Sequence, residues 1–403
     1  MKTIIYLIKR EFKLFLTNTT LISVFFLAPL IYAFIIGFTY KEGKVTDIPV
    51  LVVNQDNSPL SLQLEEMLAD NQSIKVIHHS NEPVDLKNEI IRQDAAAVVI
   101  IPERFEAMVL QKKYPEVNVH INTANVLTAN FASKALQLTL GTFSAGVEIS
   151  ALQKSGMSAE EAMNKYEAFK VNYITMFNTS SNYLIFMWPA MMAVVLQQVI
   201  LLAMAVSFSE ELKRKAFVEN FVQRKSYAIV LMIIKCLPIW IFSLFNILVF
   251  FIYSKYLMIP SPVDFWNFML VTGVFVVACT NLGVFFSILI PNSLKATQVL
   301  MVMASPAFII SGFTWPIYAM PNFIQKLTDI IPLTPYLESL KIMVIQQGSN
   351  ELTHPYLWHL LIMAAIYFIL GWIVLKFKLL KMHRLYNSNK RKNSTENKKI
   401  EEV

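Results

Sequence analysis

From Val171 to Ser209 the chain carries no Asp, Glu, Lys or Arg, and the apolar part of this stretch, Tyr183 to Phe208, is long enough to cross a lipid bilayer. A spanning helix needs about 20 mostly apolar residues, because a hydrocarbon core about 30 Å thick must be covered at about 1.5 Å per residue. Five further segments qualify: Leu21 to Phe38, Ile229 to Tyr253 with Lys235 as its one charge, Phe265 to Ile290, a span inside the charge-free stretch Ala296 to Gln325, and Tyr356 to Leu375. Only helices and closed barrels satisfy every backbone polar group inside lipid, so six such segments predict a polytopic α-helical membrane protein. The composition agrees: 55% of the 403 residues are hydrophobic and 16% are charged, against about 25% charged in soluble domains.

Residues 1–20 read as an amphipathic helix on the membrane surface, with Ile4, Ile5, Ile8, Phe12 and Phe15 on one stripe and Lys2, Lys9, Arg10 and Lys13 largely off it. A cleaved secretory signal is the competing reading. The apolar run that follows exceeds the about 7–15 residues of a signal core and has no A-x-A site after it, which favours an uncleaved first span, 21–38.

Lys and Arg in short loops near span ends are retained in the cytoplasm. With the N-terminus inside, the inner segments hold nineteen of these residues, including Lys213, Arg214, Lys215, Arg224, Lys225 and Lys295, whereas the short outer segments hold Lys255, Lys326 and Lys341. Both termini are therefore expected in the cytoplasm of a bacterial inner membrane. The net charge of +7 then reports topology, and nucleic acid is not expected as a partner.

Residues 39–182 form an expected extracytoplasmic α/β domain. Ile48 to Asn54, Ile74 to His78, Ala95 to Ile101 and Val117 to Asn122 read as strands. Helices are predicted after Ser58-Pro59, from Glu103, and over a long region from Val126 to Lys170. Adjacent His78 and His79 would point to opposite faces of a strand, so a metal site is not expected.

No nucleotide-binding loop of the form G-x-x-x-x-G-K-[ST] occurs: Gly43-Lys44 is followed by Val45 and lacks the frame. H-E-x-x-H, G-x-S-x-G and Cys-x-x-Cys are missing too, and Cys236 and Cys279 each lie in an apolar run. The chain is thus expected to be no enzyme, with no catalytic residues, no metal and no cofactor of its own.

The segment 209–226 is charged and amphipathic. Phe217 and Phe221 recur at helical spacing among Glu210, Glu211, Glu219 and Arg224, a pattern suited to placing aromatic knobs in a partner's groove. A solvated basic loop is the plainer alternative.

Here the sequence resembles the type-2 ATP-binding-cassette exporter permeases. Glu210, Glu211 and Glu219 fit the family's loop, while Ala216 and Phe217 stand where Gly-Thr is usual and Lys225 where Pro is common. Lys235 to Pro238 (KCLP) resembles the opening of the third span, and Ser311 to Pro316 (SGFTWP), Met320-Pro321 and Pro332 to Pro335 (PLTP) resemble the proline-punctuated outer segment. Lys9-Arg10-Glu11 and the insertion after the first span extend the resemblance over nearly the whole chain. It implies a transmembrane subunit that pairs with a second copy or a related permease. ATP and Mg would be used by a separate cytoplasmic ATP-binding subunit, contacted through the 209–226 loop, to export an amphipathic or lipid-like substrate. The outside domain would then suit a periplasmic adaptor or other envelope protein. The alternative is a non-transporting envelope protein whose outside domain binds a ligand or partner.

Within residues 183–375, Gln197, Gln198, Asn246 and Asn281 are expected to pair between helices or line a path. Lys235 lies close enough to the inner boundary to snorkel toward it, with substrate binding as the alternative for a charge inside a span. Gly312, Trp315, Pro316, Pro321 and Pro332 outline a re-entrant outer gate over 312–340, with an interfacial loop anchored by Trp315 and Tyr318 as the alternative. Glu338 and Lys341 are spaced to pair. The basic tail, 376–403, is expected to be disordered, a topology signal and solvated end, with attraction of its near part to anionic lipid headgroups as the alternative.

Overall fold

In the computed structural model, residues 2–80, 86–166, 171, 174–212, 228–290 and 292–401 are described. The chain divides into two compact units, Met1–Gly43 with Thr175–Val403, and Lys44–Ile174.

The first unit is helical and, among the described residues, contains six helices long and apolar enough to cross a membrane. Helix α1 covers Lys2–Thr17. Asn18 leaves the helical conformation and its side chain accepts the amide of Leu21 at 3.2 Å, so α1 ends and span 1, Thr19–Thr39, begins at a new angle. The face that α1 buries is not quite the expected one. Leu7, Glu11 and Phe15 are buried, one helical turn apart, whereas Ile5 is 49% exposed. A charge at the centre of the stripe is tolerated because span 3 presents a cation to it.

Spans 2 to 5 are the helices Tyr183–Glu211, Ala228–Tyr256, Phe265–Leu289 and Ser293–Ile310. Spans 2 and 4 are the most enclosed. Gly283 lets them approach closely, since a Cβ there would lie 2.5 Å from the Met204 Cβ. Asn182, Asp264 and Asn292 accept amide hydrogens in the first turns of spans 2, 4 and 5, satisfying donors that a helix start leaves unpaired. The sixth helix runs from His354 to Glu401 and does not stop at Leu375. The disorder expected for the tail is corrected on this point: residues 376–401 contain no Gly or Pro, so nothing local interrupts the helix.

Between spans 5 and 6 the chain turns at Gly312, whose φ is +88°. Helix α7, Asn322–Thr328, and helix α8, Leu333–Leu340, follow. Trp315, Tyr318 and Phe323 are exposed, but every residue of α8 except Glu338 is buried. Surface aromatics and a deeply packed short helix thus share the 312–340 segment. Glu338 and Lys341 pair at 2.5 Å.

The second unit is built on a four-stranded sheet of order β2-β1-β3-β4, from Ile48–Asn54 (β1), Ile74–Ser80 (β2), Ala97–Ile101 (β3) and Asn118–Ile121 (β4). The first three are parallel and β4 is antiparallel to β3. Covering helices bury β1 and β3, and their unbroken apolar runs follow from that. Its helices are Pro59–Ala69, Leu86–Arg92, Phe105–Leu110, Val126–Lys154 and Ala159–Tyr166. Two predicted helices are corrected. The one expected from Glu103 starts at Phe105, because Arg104 is left-handed at φ 58°. The region expected to be helical to Lys170 breaks after Lys154, where Gly156 adopts φ +99°. His78 and His79 lie in β2, their side chains outside those described.

Candidate functional site

Glu211 closes the helix of span 2, and Lys235 stands about two turns into span 3. Between them, residues 213–227 lie outside the described ones, so no structure is assigned to Phe217, Glu219, Phe221 or Arg224. The backbone of Glu210 is in the last turn of span 2, its side chain undescribed.

The Lys235 side chain is 2% exposed, and its ammonium lies 3.0 Å from Glu11 Oε2 and 3.3 Å from Glu211 Oε2. Arg10 Nη1 donates to Glu11 Oε1 at 3.1 Å and its Nη2 donates to Glu211 Oε1. Two cations and two carboxylates therefore alternate in a ring of zero formal charge, and the Lys235 ammonium also sits 5.3 Å from the centre of the Phe208 ring. The snorkelling expected of Lys235 is corrected: two carboxylates from other helices draw it inward, and a paired ammonium keeps the favourable contacts an isolated one would lose.

Arg10, on α1 and 26% exposed, forms the open side. Burial opposes its charge, but the hydrogen bond from Arg10 to Glu211 and the charges of Glu211 and Glu11 hold its pKa above the ordinary guanidinium value.

The junction is joined to further helices. Ser287 Oγ in span 4 accepts the amides of Phe208 at 2.8 Å and Ser209 at 3.1 Å. Lys378 in the sixth helix donates to the Leu289 carbonyl at 3.2 Å and also to that of Ile288. Pro238, one turn beyond Lys235, cannot donate to the carbonyl of Ile234, and it lines the same cleft as Glu11 and Lys235. Breaking a buried ion pair by removing one partner costs ~3–5 kcal/mol, although the intact pair adds little net stability. What the ring provides is register among α1, span 2 and span 3.

The four polar residues expected between helices behave separately. Asn246 donates to the Phe25 carbonyl at 3.0 Å, within a π-helical turn of span 1, Ser23–Leu27. Asn281 donates to the Ala364 carbonyl at 3.0 Å. Gln197 accepts from the Cys279 thiol at 4.0 Å, and Gln198 is half-buried. None of the four lines the apolar cavity walled by Trp188, Leu196, Phe250, Phe268 and Tyr336, whose lining also includes Ser254 and the Thr272–Tyr336 hydroxyl pair at 3.1 Å.

At the 312–340 segment, an added Cβ on Gly312 would lie 2.5 Å from Ile317 Cγ1. Trp315 points outward, and Pro316, Pro321 and Pro332 each precede a helical turn. Among the described residues, no three His, Cys, Asp or Glu side chains gather as a metal site would require.

The site residues that sequence reasoning missed are Glu11 and Arg10 as partners of Lys235. A signal was present, since Glu11 sits one turn from both Leu7 and Phe15 and so falls on the stripe that must be buried, just as Lys235 falls inside a span.

Six candidate spans among the described residues, an inserted α/β unit and a charge junction joining α1 with spans 2 and 3 define a polytopic α-helical membrane protein. A family model described as ABC-2 family transporter protein matches residues 19–373, and the chain belongs to this family. It is similar to the probable multidrug ABC transporter permease YbhR of Escherichia coli strain K12, 20% identical over 362 residues that cover 89% of this chain and 94% of the relative. The protein of that name from Escherichia coli O157:H7 matches to the same extent. Family membership makes the chain a membrane-embedded permease subunit of an ABC exporter, which works with an ATP-binding subunit.

Proposed function

We propose that this chain exports amphipathic or lipid-like compounds across a bacterial inner membrane, as one half of a permease dimer with a second copy or a relative. A separate cytoplasmic subunit binds and hydrolyses Mg-ATP, and both termini of this chain face that side. The observation that carries the proposal is the ring of Glu11, Lys235, Glu211 and Arg10. Glu211 and Lys235 bracket the segment expected to meet the ATPase, and both are held to α1. Displacement of that segment therefore reaches span 2, span 3 and α1 together, which is what two nucleotide states need in order to favour two permease conformations.

The apolar cavity beside Tyr336 supports an amphipathic substrate, since its aromatic walls receive apolar groups and its hydroxyl pair can hold a polar end. The printed description of YbhR as a multidrug permease fits that class. The α/β unit, placed outside, offers a surface for an adaptor or other envelope protein.

The test is reconstitution of the chain with its ATP-binding subunit in lipid vesicles, reading export of a fluorescent amphiphile and substrate-stimulated ATP hydrolysis. Glu11→Gln and Phe217→Ala should each leave the complex assembled and lower both readouts several-fold. Full coupling in both variants removes the assignment, and failure of any ATP-binding subunit to copurify favours a non-transporting envelope protein.

A further inference from the structure

In the α/β unit, the helices Pro59–Ala69, Phe105–Leu110 and Val126–Lys154 contribute to one apolar core. Lys112 and Tyr114 both take left-handed backbone conformations, φ 54° and 46°, and with Pro115 and Val117 they line one side of a cavity. This cavity, open at its mouth, has a volume of about 440 Å³. Pockets for small organic molecules hold about 300–1,000 Å³.

Its floor is apolar: Phe105 and Phe143 stack there with ring centres 6.4 Å apart. Its mouth carries two phenol rings, Tyr114 and Tyr166, which are 79% and 41% exposed. Aromatic faces carry partial negative charge and attract cations within about 6 Å.

Among the described residues, Lys112 and Glu148 are the basic and acidic side chains that border the cavity, and their surroundings differ. Lys112 is exposed at the lip, where water screens it. Glu148 is half-buried in the wall on the 126–154 helix, one turn beyond Ser144, and no cation among the described residues pairs with it. A partly desolvated carboxylate gains most from an incoming positive charge. A neutral guest would leave it unanswered, and an anion would oppose it.

We infer that this cavity is a binding site for a lipophilic cation, an onium charge carried on an aromatic or aliphatic body. The body fills the space over Phe105 and Phe143 while the charge faces Glu148 and the tyrosine rings. The inference does not rest on the coupling reading, because binding here requires neither the ATPase nor the charge junction.

The experiment uses the full chain in lipid nanodiscs with Ser144→Cys as the reporter. Ser144 is exposed at the cavity, and the native Cys236 and Cys279 are buried. The rate of labelling by a water-soluble maleimide is measured with tetraphenylphosphonium and with tetraphenylborate, ions of nearly equal shape and opposite charge. Gln137→Cys, exposed on the same helix and outside the cavity, controls for effects of either ion on the lipid. Val147→Cys is a second reporter should Ser144→Cys fold poorly.

Tetraphenylphosphonium should slow reporter labelling at least about tenfold relative to tetraphenylborate, the discrimination expected of one poorly solvated charge. Adding Glu148→Gln should abolish that difference, and Lys112→Gln should preserve it. Equal protection by both ions, protection by tetraphenylborate alone, no protection by either ion, or full protection in Glu148→Gln overturns the proposal.

Discussion

Lys235 in span 3 and Glu11 in the N-terminal helix, 224 positions apart in the chain, meet with their charged atoms 3.0 Å apart, both side chains nearly out of contact with solvent. Neither group could remain buried and charged without the other, and Glu211 and Arg10 satisfy what the pair leaves over.

Replacing Lys235 with Met leaves Glu11 and Glu211 facing each other with Arg10 as their one cation. The expected loss is ~3–5 kcal/mol, read as a lower unfolding midpoint of the detergent-solubilised protein. Lys235→Met combined with Glu211→Gln should recover part of it. A double change no better than the single one means the two residues are not coupled.

Gly312→Ala should destabilise the turn between spans 5 and 6 on two grounds. The φ of +88° disfavours any L side chain, at about 1–2 kcal/mol, and the new methyl would press on Ile317. Thermal unfolding measures the effect, and an unchanged midpoint would show that the turn has another conformation.

Because Cys236 and Cys279 are both buried, the native chain should be silent to membrane-impermeant maleimides in intact cells. Ser144→Cys should then be labelled from outside, and Lys9→Cys only after the membrane is opened. The reverse pattern would invert the proposed orientation.

Asp264 is half-buried at the start of span 4. Hydrogen bonds from Asn350 at 2.6 Å and from the amides of Asn267 and Trp266 keep its carboxyl below the usual 3.8. A depressed folded-state pKa contributes stability that is complete above the unfolded value and is lost as pH falls through the folded one. Asp264→Asn should therefore flatten the fall in unfolding midpoint below about pH 4 and leave the neutral-pH slope unchanged. A slope identical to that of the unaltered protein throughout the acid range would exclude Asp264 as its source.

What the sequence determined was set by local rules. A run such as Tyr183 to Phe208 can be read residue by residue, because each apolar side chain and each backbone amide meets lipid under the same constraint. The six spans and their class were legible for that reason. The buried parallel strands were too, since IPVLVVN and AAAVVII have apolar side chains on both faces. Where a single backbone angle decides, local reading stopped short: Arg104 and Gly156 moved helix ends, and the helix after Leu375 continued because nothing interrupts it. The charge ring, the burial of α8 and the cavity beside Glu148 belong to the tertiary structure alone. Each depends on which faces of distant helices meet, and Lys235 reads the same in the sequence whether it reaches for water or for Glu11. Packing chose between those ends by bringing two carboxylates to the place where the ammonium would otherwise have been unpaired.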